Sequence, residues 1–407
     1  MGLALISTVI ATRRRVLSAV GLVALLAVAC GGSSGDSPGD SVEGTAGATP
    51  DSVSSASGFA SDEEKPARQR SVLKPEIADI SNWINSEPTT IEAETARGNV
   101  VLIDFWTYTC VNCIRTMPHL RAWQEKYGDR GLTIIGVHSP EFEFEKITKN
   151  VEEAIERLGV TWRVAQDNDM ATWRKFGKRF WPAKYLFSVD DELVYSHFGE
   201  GEYAETEKQI REQLIAAGHD ISDIPFEPLP GDVRDVAATK QTRELYGGYA
   251  RAYSQQGVYN GHEEYYWGPD QVLDYTDDGE RVEGQYFLMG LWGNREESIV
   301  HARQDPGLED YLRVPFSARS VNIVIEPAGP EPFEVVVEID GEPLTREQAG
   351  ADIVWKNDGT TVLEVAESRL YAVLESPEFT QAELHFRSTS PNFAMFAFTF
   401  GIYLEGV

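Results

Sequence analysis

The stretch Val100–Pro118, VVLIDFWTYTCVNCIRTMP, decides how the chain around it folds. Its first seven residues are apolar apart from Asp104, which is typical of a central strand in a parallel sheet. A helical face is predicted next, because apolar residues recur every three positions at Ile114, Met117, Leu120 and Trp123. The sequence therefore predicts a buried strand that leads through Cys110 and Cys113 into a helix.

Strand and helix patterns alternate along residues 71–218, which predicts an α/β domain. The further predicted strands are 132–138, 162–165, 183–189 and 193–198. The predicted helices after the first are 139–158, 170–176 and 203–217. The helix over 139–158 is expected to begin at Ser139-Pro140, since serine caps helices and proline suits the first helical position.

The C-terminal part of the chain has a different pattern. Residues 219–242 are rich in Pro, Asp and Gly, which predicts a linker, and Asp340-Gly341 is a hairpin signal. The strands predicted within residues 243–407 are 285–291, 311–314, 321–325, 333–339, 353–355, 361–365, 369–374, 382–385 and 394–400. Many short strands without helices predict an antiparallel β-sandwich of the jelly-roll type.

The first 70 residues are predicted to contain a targeting signal followed by a flexible tether. Arg13-Arg14-Arg15 precedes the apolar run 16–29, which is short for a membrane span but suits a signal peptide over 1–29. The sequence Leu-Ala-Val-Ala-Cys30 resembles a bacterial lipobox, so Cys30 is the expected lipidation site. Residues 30–70 carry few large apolar side chains and are expected to form a disordered tether. This targeting signal predicts a protein outside the cytoplasm, anchored to a bacterial membrane by its lipid. The alternatives to lipid anchoring are an uncleaved membrane anchor and ordinary Sec cleavage.

The charge balance makes nucleic acids unfavourable partners. The chain has 36 Lys and Arg against 65 Asp and Glu, a formal net charge of −29 at pH 7. Nucleic-acid binding needs a basic surface, so it is disfavoured. The acids are scattered along the chain, which favours a solvated, repulsive surface over a dedicated acidic site.

The two cysteines of the opening stretch are the candidate redox pair. Cys110 at the start of a helix meets the positive end of the helix dipole, which suits the thiolate that attacks a substrate disulfide. Cys113, one turn further and more buried, would then resolve the mixed disulfide. Asp104 is the candidate acceptor of its proton, because burial should raise the pKa of this carboxyl. No cofactor beyond the pair is expected.

Two other interpretations of the cysteine pair compete with a redox role, and two nearby acids have alternatives of their own. Half a zinc site is disfavoured because there is no second cysteine pair and His119 and His138 lack ligand spacing, so no metal is expected. A structural disulfide is natural outside the cytoplasm. Asp104 as a core carboxylate without a chemical role stays open, and Glu141 is equally well explained as an acid in a first helical turn.

The stretch also resembles the thioredoxin superfamily. Asp104 lies six residues before Cys110, Trp106 four before it, and Pro118 five after Cys113, which are that family's offsets. Trp181-Pro182 before an apolar strand resembles the family's cis-proline element. The resemblance implies that Pro182 presents backbone groups to substrate, with Trp106 and Trp181 at the rim.

The spacing of about forty residues between Val137 and Pro182 resembles the central insertion of TlpA- and ResA-type reductants. Some ResA-type members carry a glutamate one turn after the second cysteine, where this chain has Thr116. More specifically, the sequence around Cys110 and the segments His-Ser-Pro-Glu-Phe and Phe-Gly-Glu-Gly-Glu-Tyr are similar to the soluble part of DipZ proteins. That resemblance implies a reductant of protein disulfides, supplied with electrons by a separate CcdA- or DipZ-like membrane protein.

The C-terminal half is similar to the carbohydrate-binding-module-like domain of DipZ proteins, down to the closing Phe398-Thr-Phe-Gly401. Aromatic side chains can stack on sugar rings, and the candidates are Tyr265, Tyr266, Trp267 and Trp292. The competing interpretation is that they pack inside the domain. The alternative function is therefore a glycan- or protein-binding lipoprotein in which the thioredoxin half serves as a scaffold.

Overall fold

Strand β2 (Val100–Trp106) lies at the centre of a six-stranded sheet in a computed structural model that describes residues 75–231, 240–304 and 307–403. The predicted signal peptide, Cys30 and the tether up to residue 70 lie outside the described residues. The sheet order is β1-β4-β3-β2-β5-β6. The other five strands are β1 (Asn82–Ile84), β3 (Leu132–His138), β4 (Arg163–Gln166), β5 (Ala183–Phe187) and β6 (Leu193–Phe198).

Both faces of this sheet are covered at its central strands, as the continuous apolar run of β2 predicts. Val100, Leu102 and Trp106 enter one apolar cluster, whereas Val101, Ile103 and Phe105 enter another on the opposite side. Side chains alternate across a strand, so β2 has no solvent face, and every one of its residues is buried. The covering helices are α1 (Ile91–Thr95), α2 (Val111–Tyr127), α3 (Thr148–Leu158), α4 (Ala171–Lys175) and α5 (Tyr203–Ala216).

The pairing of the central strands decides what meets at the sheet edge. β2 runs parallel to β3 and antiparallel to β5. Asp104 is opposite Lys184, and Phe105 is opposite Ala183. Pro182, which precedes Ala183, therefore lies beside the end of β2, where the chain leaves the sheet toward Cys110. The predicted α/β fold is confirmed.

The helix predicted over 139–158 is wrong in its first half. A 3₁₀ turn covers Glu143–Lys146, and the α-helix begins at Thr148. The carboxylate of Glu145 accepts the backbone N–H groups of Glu141 and Phe142, which fixes a turn in place of a helical start. The N–H of Glu143 also donates to Glu297 at 3.0 Å, so this local turn and a contact from a distant segment together override the Ser139-Pro140 signal.

The C-terminal residues form the predicted antiparallel β domain, with eleven strands hydrogen-bonded into one sheet among the described residues. Two strands are far longer than predicted, since β13 and β18 each replace two of the predicted short strands. The pairing of β13 with β18 shifts register between Ala318 and Asn322, where the sequence had suggested a break. The sheet strands are β7 (Leu245–Tyr246), β10 (Val272–Tyr275), β11 (Phe287–Asn294), β12 (Ile299–His301), β13 (Tyr311–Pro327), β14 (Phe333–Ile339), β15 (Glu342–Pro343), β16 (Ile353–Trp355), β17 (Thr361–Val365), β18 (Arg369–Ser388) and β19 (Phe393–Gly401).

Short elements complete this half. Strands β8 (Tyr253–Ser254) and β9 (Gly257–Val258) pair as a small hairpin. Among the described residues, 3₁₀ turns also occur at Gly128–Arg130, Tyr249–Arg251 and Glu263–Tyr266. None of the helices in the part of the chain that the structure describes has the length and apolar character needed to cross a bilayer.

The two halves share an apolar core. Phe396 of β19 packs edge-on against Phe142 and Phe144, with ring centroids 5.2 and 4.9 Å apart. These rings belong to the same apolar cluster as Trp106 and Cys113. The described residues from Pro75 onward accordingly belong to one compact unit.

A backbone contact near this interface gives a test of the fold. A Cβ on Gly248 would lie 2.2 Å from the carbonyl carbon of Glu297 and 2.3 Å from the carbonyl oxygen of Glu296. Gly248→Ala should therefore lower the free energy of unfolding by about 1–3 kcal/mol, the usual cost of overpacking, measured by thermal unfolding. Gly293→Ala is the matched control, because the atoms nearest to its Cβ would be those of the Arg295 guanidinium, at 3.1 Å and beyond, and no backbone atom would lie as close. Equal stability of the two variants would contradict the prediction.

Candidate active site

Cys110 occupies the N-cap of α2, with extended backbone angles (φ −81°, ψ 110°). Its Sγ accepts the backbone N–H of Cys113 at 3.4 Å, so the sulfur lies at the positive end of the helix. Cys110 is partly exposed, Cys113 is completely buried, and both are free thiols. Only one sulfur of the pair is thus open to a partner.

Asp104 lies deep beneath the pair and is not alone. Its Oδ1 is 3.5 Å from Nζ of Lys184, and both side chains are almost completely buried. Burial raises the pKa of Asp104 to about 6, while the positive charge of Lys184 acts in the opposite direction. The carboxylate is therefore mostly ionised at neutral pH, yet basic enough to take up a proton.

Cys113 has the complementary property. Burial raises the pKa of the Cys113 thiol well above its ordinary range, and the neighbouring Cys110 and Asp104 act in the same direction. This thiol is therefore protonated at rest and needs a base before it can attack. Asp104 is close enough to affect the titration of Cys113, which makes it the candidate base.

The loop between β2 and Cys110 is fastened by an acid that the sequence did not single out. Glu145 is completely buried, and its Oε1 accepts the hydroxyls of Thr107 and Thr109, each at 2.6 Å. Burial and the charge of Glu141 raise the pKa of Glu145 to about 7, against the effect of these hydrogen bonds. Two threonines among the three residues between β2 and Cys110 were the available signal, but their partner lies 38 and 36 residues along the chain.

The cis-proline element lies where the resemblance implied. The Trp181–Pro182 peptide bond is cis, and Trp181 packs against Trp173 with ring centroids 4.4 Å apart. Two neighbouring rings, Phe180 and Phe198, are about half exposed, at 51% and 50%. Trp106, by contrast, is buried under the site, so the exposed rim is formed by Trp181 with these two phenylalanines.

Lys184 was also missed, although the sequence contains a signal for it. It is a single charged residue in the apolar run after Pro182, as Asp104 is in the run before Cys110. Opposite charges inside two strands that flank one site suggest a buried ion pair. Recognising the pair required the register of β2 against β5.

The other residues considered from the sequence have ordinary environments. Burial lowers the pKa of His119 to about 4 and that of His138 to about 3, so both are neutral. His119 stacks on Tyr203, and Thr116 donates its hydroxyl to the carbonyl of Asn112 inside α2. No group of three or more potential metal ligands occurs among residues that the structure describes.

Two of the four candidate sugar-stacking aromatics are core residues. Tyr265 and Trp292 are 2% and 1% exposed, so their ring faces are already covered, and the packing interpretation is confirmed for them. Tyr266 is partly exposed, but its hydroxyl bonds the backbone of Asn260. Trp267 is exposed at 68%. The four rings therefore do not form one stacking platform.

Comparisons with known proteins agree with this geometry. Residues 74–214 match the Redoxin family, and residues 242–401 match the family described as Thioredoxin like C-terminal domain. Residues 74–214 thus carry a thioredoxin-like domain that matches the Redoxin family. The resemblance drawn from the cysteine stretch is thereby confirmed.

Individual relatives extend the comparison. Protein DipZ of Mycobacterium tuberculosis is 32% identical over 275 residues, which are 67% of this chain and 37% of DipZ. Thiol-disulfide oxidoreductase YkuV of Bacillus subtilis is 26% identical over 140 residues, 34% of this chain and 93% of YkuV. Thiol-disulfide oxidoreductase ResA of Halalkalibacterium halodurans is 28% identical over 113 residues, 28% of this chain and 61% of ResA. The chain thus spans little more than a third of the length of DipZ.

The ion pair beneath the cysteines gives a pH-dependent test. Lys184 lowers the pKa of Asp104, so Lys184→Met should let burial raise it further above about 6. Fewer carboxylates would then be ionised at pH 7, and release of the mixed disulfide should slow there and recover as the pH rises. Single-turnover reduction of a model disulfide between pH 5 and 9 measures this profile.

Two further variants serve as references for that measurement, one without the proton acceptor and one altered far from the site. Asp104→Asn removes the acceptor, so its release step should be slow across the range, by about 10²- to 10⁴-fold at neutral pH. Lys175→Met removes an exposed lysine that pairs with Glu76 and should leave the profile unchanged. An unshifted profile in Lys184→Met would contradict the assigned role of the pair.

Proposed function

We propose that this protein is an extracytoplasmic, membrane-tethered thiol:disulfide oxidoreductase that reduces disulfides in other proteins. The observation that carries the proposal is a partly exposed Cys110 at a helix start, above a buried Cys113 and the Asp104–Lys184 pair. An exposed attacker, a protected resolver and a base of intermediate pKa are the three groups that thiol–disulfide exchange requires. The thiol-disulfide oxidoreductases among the relatives support the same reaction class.

The reaction begins at Cys110. Its thiolate attacks one sulfur of the substrate disulfide, forming a mixed disulfide and releasing the other substrate sulfur as a thiolate that takes up a proton. Asp104 then accepts the proton of Cys113, whose thiolate attacks Sγ of Cys110. The second substrate thiol leaves, and the Cys110–Cys113 disulfide remains. The substrate gains two electrons and the protein loses two.

The rim of the site suits an extended, partly apolar substrate segment. Trp181 precedes the cis Pro182 beside the end of β2, and the half-exposed Phe180 and Phe198 lie on the same side of the sheet edge. Such rings can cover the apolar residues that flank a substrate disulfide. Pro182 has no N–H, and its carbonyl already accepts the N–H of Gly199 at 2.9 Å, so backbone pairing with the segment would come from Trp181.

Regeneration requires an electron source outside this chain. We infer that a CcdA- or DipZ-like membrane protein reduces the Cys110–Cys113 disulfide. The similarity to DipZ, of which this chain spans 37%, supports that inference. Lipidation of Cys30 would hold the protein at the membrane surface where such a donor works.

Trapping identifies the substrates and tests the attacker. Cys113→Ala cannot resolve the mixed disulfide, so substrate proteins should accumulate bound to Cys110, to be seen as reducible complexes on a non-reducing gel. Cys110→Ala is the control and should trap nothing and lose insulin reduction. Complexes that form through another residue, or full activity in Cys110→Ala, would contradict the proposal.

Membrane tethering has a separate test in bacterial cells that express the full chain. Inhibition of signal peptidase II should accumulate the unprocessed precursor, because cleavage before Cys30 depends on that enzyme. Cys30→Ser should behave like the inhibited protein without the inhibitor. Normal processing in both cases would mean that the chain is not a lipoprotein.

A further inference from the structure

Glu145 lies at a junction between the cysteine loop and the C-terminal domain. Its Oε1 receives two hydroxyl hydrogen bonds, from Thr107 and Thr109, and its Oε2 receives the backbone N–H groups of Glu141 and Phe142. Four donors thus converge on a single carboxylate that has no contact with solvent. An acid with this many donors holds together segments that are distant in sequence.

One of these segments is the link to the attacking thiol. Thr107, Tyr108 and Thr109 are the only residues between the end of β2 and Cys110. The backbone carbonyl of Thr107 accepts the N–H of Cys110 at 3.4 Å, and the backbone of Thr107 lowers the pKa of Cys113 against the effect of burial. A shift of this short link would therefore move Sγ of Cys110 relative to the first N–H groups of α2.

The other segment is held by the C-terminal domain. The guanidinium of Arg251 and the hydroxyl of Tyr246 both bond Oε1 of Glu141, at 2.7 and 3.0 Å. The N–H of Glu143 donates to Glu297 at 3.0 Å. Phe142 and Phe144, next to these acids, pack on Phe396. The turn that carries Glu145 is thus fixed from the domain that follows.

We propose that Glu145 is a positioning residue for Cys110, and that the C-terminal domain, by holding the turn 141–145, sets the reactivity of the attacking thiol. The domain is then a part of the redox centre, joined to it by Phe396, the turn, Glu145 and the two threonines. This inference rests on Cys110 being the attacking thiol. It concerns the reactivity of one sulfur and needs no substrate protein to be tested.

The competing explanation is that Glu145 is a buried acid whose charge, and not its hydrogen bonds, affects the cysteines. The two explanations predict opposite signs. Loss of position would remove Sγ of Cys110 from the N–H of Cys113 and slow the reaction of the thiol. Loss of a nearby negative charge would favour the thiolate and speed its reaction.

The test is the rate at which iodoacetamide alkylates Cys110 in the reduced full-length protein at pH 7, followed by mass spectrometry of the peptide that contains it. The Thr107→Val/Thr109→Val variant leaves the carboxyl group of Glu145 in place and removes both hydroxyl donors. Loss of these hydrogen bonds raises the pKa of Glu145 and reduces its charge, so the charge explanation predicts faster alkylation in this variant and the positioning explanation predicts slower alkylation. We expect alkylation to slow about tenfold, the equivalent of one hydrogen bond to a charged group. Glu145→Gln should also slow it, and Glu143→Gln, on the exposed side of the same turn, should not change it.

A test variant and a matched control on the same strand measure the role of the C-terminal domain. Phe396→Leu loosens the contact with Phe142 and Phe144, so it should slow alkylation in the same direction. Phe398→Leu lies two residues further on the same strand, in the core of the C-terminal domain alone, and should leave the rate unchanged. Thermal unfolding of each variant separates folding from reactivity.

Two results would overturn the proposal. Unchanged alkylation in a folded Thr107→Val/Thr109→Val variant would reduce the hydrogen bonds to a structural role, and Thr109→Val alone serves if the double variant does not fold. Faster alkylation in Glu145→Gln would assign the effect to charge. A protein that fails to reduce insulin but shows the expected alkylation rates would refute the proposed function and leave the positioning role standing.

Discussion

The ion pair between Asp104 and Lys184 is the interaction on which the candidate site depends. Two charges on neighbouring central strands, 3.5 Å apart and out of reach of water, carry a large desolvation cost. A core built for stability alone would favour apolar residues at both positions, because packed apolar side chains avoid the desolvation cost of two charges. Removing only one partner would instead leave an unpaired buried charge. The pair is explained by the chemistry of the site. Burial raises the pKa of Asp104 enough for its carboxylate to accept a proton, while the charge of Lys184 limits that rise and leaves the carboxylate ionised at neutral pH. The strands β2 and β5 hold these two side chains together beneath Cys113.

Local patterns in the sequence predict the parts of the fold that are governed by local rules. Strands Leu132–His138 and Leu193–Phe198 occur where periodicity and turn residues predicted them. The helix predicted from Ser139 failed, because Glu145 and the neighbouring domain bind the backbone that would have begun it. Likewise β13 and β18 continue through apparent breaks, since pairing along their whole length outweighs weak local propensity.

The same distinction applies to the site. Cys110, Cys113 and Asp104 are close in sequence, and the motif spacing was enough to select them. Lys184 and Glu145 come into the site by strand register and by a contact across 38 residues, which no local pattern encodes. A charged residue inside an apolar run is the signal that finds Lys184. For Glu145, in a turn already rich in acids, composition gives no comparable signal.

The unequal burial of the two sulfurs also has a consequence for damage by oxidants. Peroxides react with accessible thiolates, so oxidation to a sulfenic acid would fall on Cys110 and spare the protonated, enclosed Cys113. A sulfenic acid condenses with a nearby thiol to a disulfide and water, and Cys113 is one helical turn away. The product would be the same disulfide that the catalytic cycle leaves behind. The architecture that orders the two steps of exchange therefore also shelters the centre from irreversible oxidation.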